Sequence, residues 1–356
     1  MHIAVLGVGL IGGSVARAAR ERLGATVAGF DRSAQALRRA VELDVVDQAA
    51  GSLADAVSGA EAVFAAVPVG SLAETVGAAL KYAPADCVVT DVGSTKRAVV
   101  AAHQDPRFVG GHPLAGAETS GVEHARADLF DGATWYLTPT AGTSGVLYER
   151  LHRLLYGIGA RPCAIDAETH DRILASVSHL PHVLANVLVA SAAGALDEGG
   201  ERLPATGPSF RDATRVAGAP SEIWTDIYLS NRDPLAAEID ATIERLQEVR
   251  RALHEADAGR LTAWNDAAAQ DRRRLMEAGL AGGRQIELRA AVPNRPGVIA
   301  QLALELGRAG LNIADMALYP APDMSDGVVA LWVGGEDDAA RAQELIGNLG
   351  FPVARA

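Results

Sequence analysis

An apolar run, Ile3–Leu6, leads into Gly7-Val8-Gly9-Leu10-Ile11-Gly12, and a helical pattern follows through Ser14–Arg22. No other feature restricts the fold as tightly. In a strand–turn–helix unit the first glycine permits a tight turn and the second lets a pyrophosphate approach the backbone. The third allows close helix–strand packing. Backbone N–H groups and the helix dipole then hold the phosphates. Asp31 ends the next apolar run, Thr26–Phe30, at the separation from Gly12 where an acid accepts the adenosine ribose hydroxyls. The pattern implies a Rossmann-type dinucleotide domain held to its cofactor by Gly7, Gly9, Leu10, Ile11, Gly12, Asp31 and Arg32. Val67-Pro68, which ends a later apolar run, joins that rim. Asp31 disfavours a 2′-phosphate, so NAD is the expected cofactor, although Arg32 beside it weakens the exclusion.

Up to about residue 165, β-like runs alternate with helical stretches: Ile3–Leu6, Thr26–Phe30, Ala62–Val67, Cys87–Asp91, Phe108–Gly111, Trp135–Thr138 and Arg161–Ile165. Continuous apolar strands separated by helices indicate a parallel sheet covered on both faces. From Glu168 to Met276 strand signals vanish and Ala/Leu-rich helical patterns take over. From Gln285 a β-α-β-β-α-β pattern begins, which is the ferredoxin-like order. The expected organisation is an α/β dinucleotide-binding domain at 1–165, an all-α substrate and dimerisation domain at 166–278, a linker at 279–284 and a small α/β domain at 285–356. A chain of 356 residues holds full cores for two or three such units.

Composition excludes other classes. With 49% hydrophobic and 21% charged residues the chain is globular. Its net charge of −12 disfavours nucleic acid and acidic membranes as partners, and an anionic substrate would need locally concentrated arginines. No uninterrupted apolar run reaches about 18 residues, which argues against a membrane span. A strand starting at His2 leaves no room for a signal peptide. Cys87 and Cys163 read as reduced, buried thiols, so a cytoplasmic location is expected.

His112 stands in Gly110-Gly111-His112-Pro113-Leu114-Ala115-Gly116. An imidazole between glycines and a proline is expected to be exposed and stiffly placed, and histidine titrates near neutrality. Beside a nicotinamide it suits removal of a hydroxyl proton as hydride leaves the same carbon, though a loop histidine without a role fits the same pattern. Ser94-Thr95-Lys96 follows the strand ending at Asp91 and reads as a helix N-cap, a substrate contact, or both. His170, Ser178, His179 and His182 fall in one predicted helix, Glu168–Leu188, kinked at Pro181. They line a polar cleft or are structural. His179 and His182 lack a third ligand at metal spacing, so no metal is expected. Arg211 and Arg215, one turn apart after Gly207-Pro208, offer a planar fork to a carboxylate or form a solvated face with Asp212.

Taken together, the glycine turn with Gly13-Ser14, Asp91-Val92-Gly93-Ser94-Thr95-Lys96, the His112 segment, Ala117-Glu118-Thr119-Ser120-Gly121, Ser178-His179-Leu180-Pro181-His182 and Phe210-Arg211-Asp212-Ala213-Thr214-Arg215 resemble the prephenate/arogenate dehydrogenase family of tyrosine biosynthesis. The resemblance spans about residues 1–275. It implies a cyclohexadienol substrate, prephenate or arogenate, whose hydroxyl proton passes to His112 while hydride passes to NAD. Loss of the ring carboxylate then aromatises the ring. It also implies that Ser94 orients His112 or the hydroxyl, and that Arg215 binds a carboxylate. Glu118, Ser178 and His182 would line the pocket, and Asp212 would hold the arginines. Ala117 departs from the hydroxyl residue expected of many relatives, which leaves the choice between prephenate and arogenate open.

Residues 285–356 resemble an ACT domain, with Val292-Pro293-Asn294-Arg295-Pro296-Gly297-Val298 as the loop before its first helix. This implies a homodimer regulated by tyrosine near Asn294 and Asn312, or else a purely structural module. A β-hydroxyacid dehydrogenase would use a lysine base in the helical domain, and no lysine follows Lys96. A non-catalytic amino-acid sensor would not be expected to keep His112, Ser94 and Arg215 together.

Overall fold

The computed structural model describes residues 1–116, 119–199, 206–277, 285–321 and 326–356. It resolves into two compact units: Met1–Asp171 with Ala219–Ser230 and Gln285–Ala356, and Arg172–Gly218 with Asn231–Arg284.

The first unit is built on an eight-stranded sheet of order β3-β2-β1-β4-β5-β6-β7-β8. Its strands are β1 (His2–Leu6), β2 (Thr26–Phe30), β3 (Gln48–Ala49), β4 (Ala62–Ala65), β5 (Val88–Asp91), β6 (Phe108–Pro113), β7 (Thr134–Thr138) and β8 (Arg161–Ala164). The connecting helices are α1 (Leu10–Leu23), α2 (Ala34–Glu42), α3 (Leu53–Val57), α4 (Val69–Tyr82), α5 (Arg97–Ala102), α6 (Gly145–Gly157) and α7 (Ala167–Leu174). Strands β1, β4 and β5 are buried along nearly their whole length, as a sheet covered on both faces requires. The buried positions of α1 include Gly12, Gly13, Val15, Ala16, Ala18 and Ala19, small enough for close packing, with Gly12 against β1 and Gly13 against Val122 and Ala125.

The sheet is not wholly parallel as expected: β6 and β7 pair antiparallel, with His112 opposite Tyr136. Among the described residues, the segment joining them contains one 3-10 turn, Val122–His124, and no crossover helix that would carry the chain back for parallel pairing. The two-residue β3 has no apolar run to announce it, since both its residues are exposed.

The C-terminal domain belongs to this same unit. Its elements are β9 (Gln285–Pro293), α13 (Val298–Arg308), β10 (Ile313–Pro320), β11 (Asp326–Gly334), α14 (Glu336–Asn348) and β12 (Val353–Arg355). They form a four-stranded antiparallel sheet of order β10-β11-β9-β12, within the expected β-α-β-β-α-β order. α13 seats closely on the nucleotide domain: a Cβ on Gly307 would fall 1.8 Å from the Ala164 carbonyl oxygen. Arg308 pairs with Asp166 at 3.3 Å. On α6, His152 is 1% exposed. Burial pushes its pKa down to about 4 against the opposing pull of Asp315 and a backbone contact at Ile313.

The folded value lies below the unfolded one of 6.5, so between about 4 and 6.5 the unfolded chain binds more protons. The stability associated with neutral His152 is therefore complete above that window and lost as pH falls through it, by about 3 kcal/mol. Urea unfolding of wild type and His152→Leu at pH 7 and pH 4 should show a smaller acid loss in the variant. Equal losses would contradict this reading.

The second unit is helical: α8 (Leu180–Gly199), α9 (Pro208–Thr214), α11 (Arg232–His254) and α12 (Ala258–Glu277), with α10 (Ser221–Ser230) assigned to the first unit. The single helix expected over Glu168–Leu188 is divided by a π turn, Ala175–His179, just before α8. Pro181 has no N–H to continue the i→i−4 ladder at that point, and a π turn absorbs the missing bond. By length and composition the helical run Ala167–Gly194 could cross a membrane, its most apolar 18-residue window having a mean hydropathy of 1.6. No unbroken apolar run had suggested this, because His170, His179 and His182 interrupt it.

Candidate active site

The nucleotide turn has the expected construction. The Gly7 N–H donates to the Phe30 carbonyl at 2.8 Å, tying the turn to the end of β2. Gly7 adopts φ +99°, and a Cβ there would lie 2.3 Å from the Ala66 oxygen; one on Gly12 would lie 1.9 Å from the Gly7 oxygen. A Cβ on Gly9 would meet nothing within 4 Å. Packing therefore fixes the outer two glycines, while the middle one opens onto free space at an α1 N-terminus that no side chain caps. Such a cradle accepts a phosphate on backbone N–H groups, so these residues fit a dinucleotide. Leu10 and Ile11 begin α1 half-buried, Val67 follows β4, and Pro68 is the exposed residue capping α4. The strand order reverses between β1 and β4, where such sheets bind nucleotides beyond the carboxyl ends of the strands.

Asp31 is locked to this turn. Its Oδ2 accepts from the Val8 N–H at 2.9 Å and its Oδ1 from the Ser33 N–H at 2.8 Å. Arg32 extends into solvent and pairs with Glu74 at 3.5 Å.

His112 differs from its expected setting. It lies within β6 and is only 8% exposed, so it is a buried strand residue and not an exposed loop one. The flanking glycines explain the burial. A Cβ on Gly110 would sit 2.3 Å from Thr138 Oγ1, and one on Gly111 2.6 Å from the Asp91 carbonyl oxygen. Only glycine lets β6 press this closely between its neighbours. Beneath it, the fully buried Lys96 donates to Asp91 Oδ2 and, at 2.7 Å, to the Gly111 carbonyl. Asp91 Oδ1 in turn accepts the Gly111 N–H at 3.1 Å. Burial lowers the Lys96 pKa from its ordinary value, opposed by Asp91. The backbone that carries His112 is thus clamped at both its N–H and C=O by one buried ion pair.

A second chain of contacts sets the protons on His112. Asp171 Oδ1 lies 2.8 Å from His170 Nδ1, and His170 Nε2 lies 3.0 Å from His112 Nδ1. A carboxylate can only accept, so His170 carries its proton on Nδ1 and presents a lone pair at Nε2. His112 therefore donates from Nδ1, which leaves the basic lone pair on its Nε2. Burial lowers the His170 pKa despite Asp171, keeping it neutral. For Asp171, burial acts to raise the pKa, but hydrogen bonds from His170 and the Arg97 and Lys96 amides hold it below the usual carboxylate range. Those amides, at 3.0 and 2.7 Å, make Asp171 the cap of α5 as well. Tyr136 packs edge-on against His170 at 5.5 Å.

Ser94 lies half-buried in the loop between β5 and α5, on the same carboxyl rim. α10 packs on that rim too: Asp226 accepts the Gly70 N–H at 3.2 Å and Ser230 bonds Thr95 at 2.7 Å. Ser178, His182, Asp212 and Arg215 belong to the second unit. There Ser178 is half-buried in the π turn, and His182, buried at the start of α8, contacts Asn186 at 3.4 Å. Burial lowers the His182 pKa against a backbone hydrogen bond at Val216. Asp212 and Arg211 are exposed on α9, while Arg215 opens a separate 3-10 turn, Arg215–Gly218. The two arginines thus do not share one α-helix. Asn294 and Asn312 lie exposed at opposite ends of α13. Ala117 and Glu118 lie outside the described residues.

The family profile "prephenate dehydrogenase, nucleotide-binding domain" matches residues 15–163, and "prephenate dehydrogenase, dimerization domain" matches residues 166–266. Prephenate dehydrogenase of Bacillus subtilis is 32% identical over 97% of this chain and 95% of its own. This chain belongs to the prephenate dehydrogenase family. Among solved structures, Aquifex aeolicus prephenate dehydrogenase in complex with hydroxyphenyl propionate and NAD+ is similar, with a TM-score of 0.71 and 27% identity. It covers 77% of this chain and 98% of that one. Synechocystis arogenate dehydrogenase is similar at TM-score 0.67 and 27% identity, over 77% of this chain and all of its own (100%).

His170 and Lys96 were singled out in the sequence, but their pairing with Asp171 and Asp91 was not legible. Their spacing along the chain carries no signal of contact. The adjacent His170-Asp171 pair was the one local hint.

Proposed function

We propose that this protein oxidises and decarboxylates prephenate to 4-hydroxyphenylpyruvate with NAD, a step of tyrosine biosynthesis. The observation that carries the reading is the Asp171–His170–His112 chain, which leaves a basic lone pair on His112 Nε2. Bound NAD supplies the hydride acceptor. The glycine turn, Leu10, Ile11, Asp31, Arg32, Val67 and Pro68 hold it. His112 Nε2 takes the proton of the ring hydroxyl, and His170 and Asp171 keep its tautomer fixed throughout. Ser94 orients the imidazole or the hydroxyl. Arg215 binds a substrate carboxylate with Asp212 beside it, while Glu118, Ser178 and His182 line the pocket. Arogenate is the second reading, favoured by the equal 27% identity to an arogenate dehydrogenase.

Residues 285–356 act as an ACT-type regulatory module that takes tyrosine near Asn294 and Asn312. Support comes from its element order and its antiparallel sheet. The protein works as a homodimer through the helical unit. There Val187, Leu188 and Val189 on α8, and Leu246 and Leu253 on α11, are exposed in the single chain. NADH formation from each substrate, repeated with added tyrosine, tests this reading. Faster turnover of arogenate than prephenate would replace the first substrate by the second.

Arg215→Gln should raise KM for prephenate by about 10–100-fold with little change in kcat, matching loss of a charged hydrogen bond of about 1.5–3 kcal/mol. An unchanged KM would remove Arg215 from the site.

A further inference from the structure

We propose that Glu74 is a cofactor-specificity residue that neutralises Arg32 and thereby excludes nucleotides carrying a 2′-phosphate. The proposal rests on the reading of the glycine turn as a dinucleotide site and deepens it.

An acid at the end of β2 excludes a 2′-phosphate by charge, but an arginine next to it works in the opposite sense. A guanidinium is a planar, permanently charged fork that matches a phosphate in bidentate geometry. On this chain Asp31 cannot swing aside to adapt, because both its carboxylate oxygens hold backbone N–H groups, at Val8 and Ser33. Arg32 has the opposite character. Its side chain is 72% exposed, and its partner is Glu74 Oε2, reaching across from α4 at 3.5 Å. Glu74 is itself 79% exposed and carries no other ion pair among the described residues. The pair therefore holds no core together, and its consequence is local charge: the cation beside Asp31 is compensated before a ligand arrives. A 2′-phosphate entering there would meet two carboxylates and an occupied guanidinium. A ribose hydroxyl would meet the fixed Asp31 and lose nothing.

Removing the Glu74 charge should release Arg32 to accept a phosphate. Because both side chains are solvated, the effect is modest and screened by salt. The test uses binding of two unreactive fragments, ADP-ribose and 2′-phospho-ADP-ribose, followed by titration calorimetry on the full-length protein. For Glu74→Gln, 2′-phospho-ADP-ribose should bind about 3–5-fold more tightly than to wild type at low ionic strength, and ADP-ribose within about 1.5-fold. The gain should shrink in high salt and disappear when Arg32→Ala is added. Normal ADP-ribose binding with an unchanged preference in Glu74→Gln, or a gain that survives Arg32→Ala, would overturn the role of Glu74 alone. Failure of the wild-type protein to bind ADP-ribose would overturn it together with the nucleotide reading.

Discussion

His112→Asn should lower kcat for prephenate oxidation by ~10²–10⁴-fold, the usual span for loss of a general base. Asparagine keeps a donor at nearly the position of Nδ1, so the contact to His170 Nε2 survives and the strand packing around Gly110 and Gly111 is undisturbed. What disappears is the lone pair on Nε2. KM should change little, because the loss falls on proton transfer and not on uniform binding. A kcat within threefold of wild type would remove His112 from the chemistry.

Asp171→Asn should have the second largest effect, a fall in kcat of about 10²–10³-fold. An amide can donate as well as accept, so it permits the His170 tautomer with its proton on Nε2. That proton would point at His112 Nδ1, push the His112 proton onto Nε2 and block the base. Loss of a carboxylate that fixes a catalytic tautomer falls in this range or above it. Asp171 also accepts the Lys96 and Arg97 amides at the start of α5, so a structural cost must be separated. Asparagine keeps one oxygen and so can hold only one of these two amides; some thermal stability should be lost, while nucleotide binding by the folded protein holds and kcat falls far more than the folded fraction. A kcat that fell only in proportion to the folded fraction would make Asp171 a structural cap and not a positioning residue.

How much of this was readable from the chain follows from the range of each interaction. The glycine turn, Asp31 and the order of strands were legible because their signals are local: neighbouring residues fix φ, close approach and apolar runs. The antiparallel β6–β7 pair was not, because the residues joining the two strands carry no strong pattern for or against a crossover helix. His112 stood out by its glycine and proline neighbours, yet its burial was missed. Those glycines serve to press β6 against Thr138 and Asp91, contacts that only the assembled sheet reveals. Lys96 read as part of a helix N-cap or a substrate contact. Its meaning comes from the Asp91 carboxylate and the Gly111 carbonyl, which the sheet brings together around it. His170 and Asp171 read as part of one long helix because π turns have no sequence signature beyond a proline such as Pro181.

The most direct measurement is the stoichiometry of NADH and CO2 released when purified protein is mixed with prephenate and NAD. One of each is expected per prephenate consumed, with 4-hydroxyphenylpyruvate as product and both signals lost together in His112→Asn. No NADH from prephenate, or NADH formed without CO2, would contradict it.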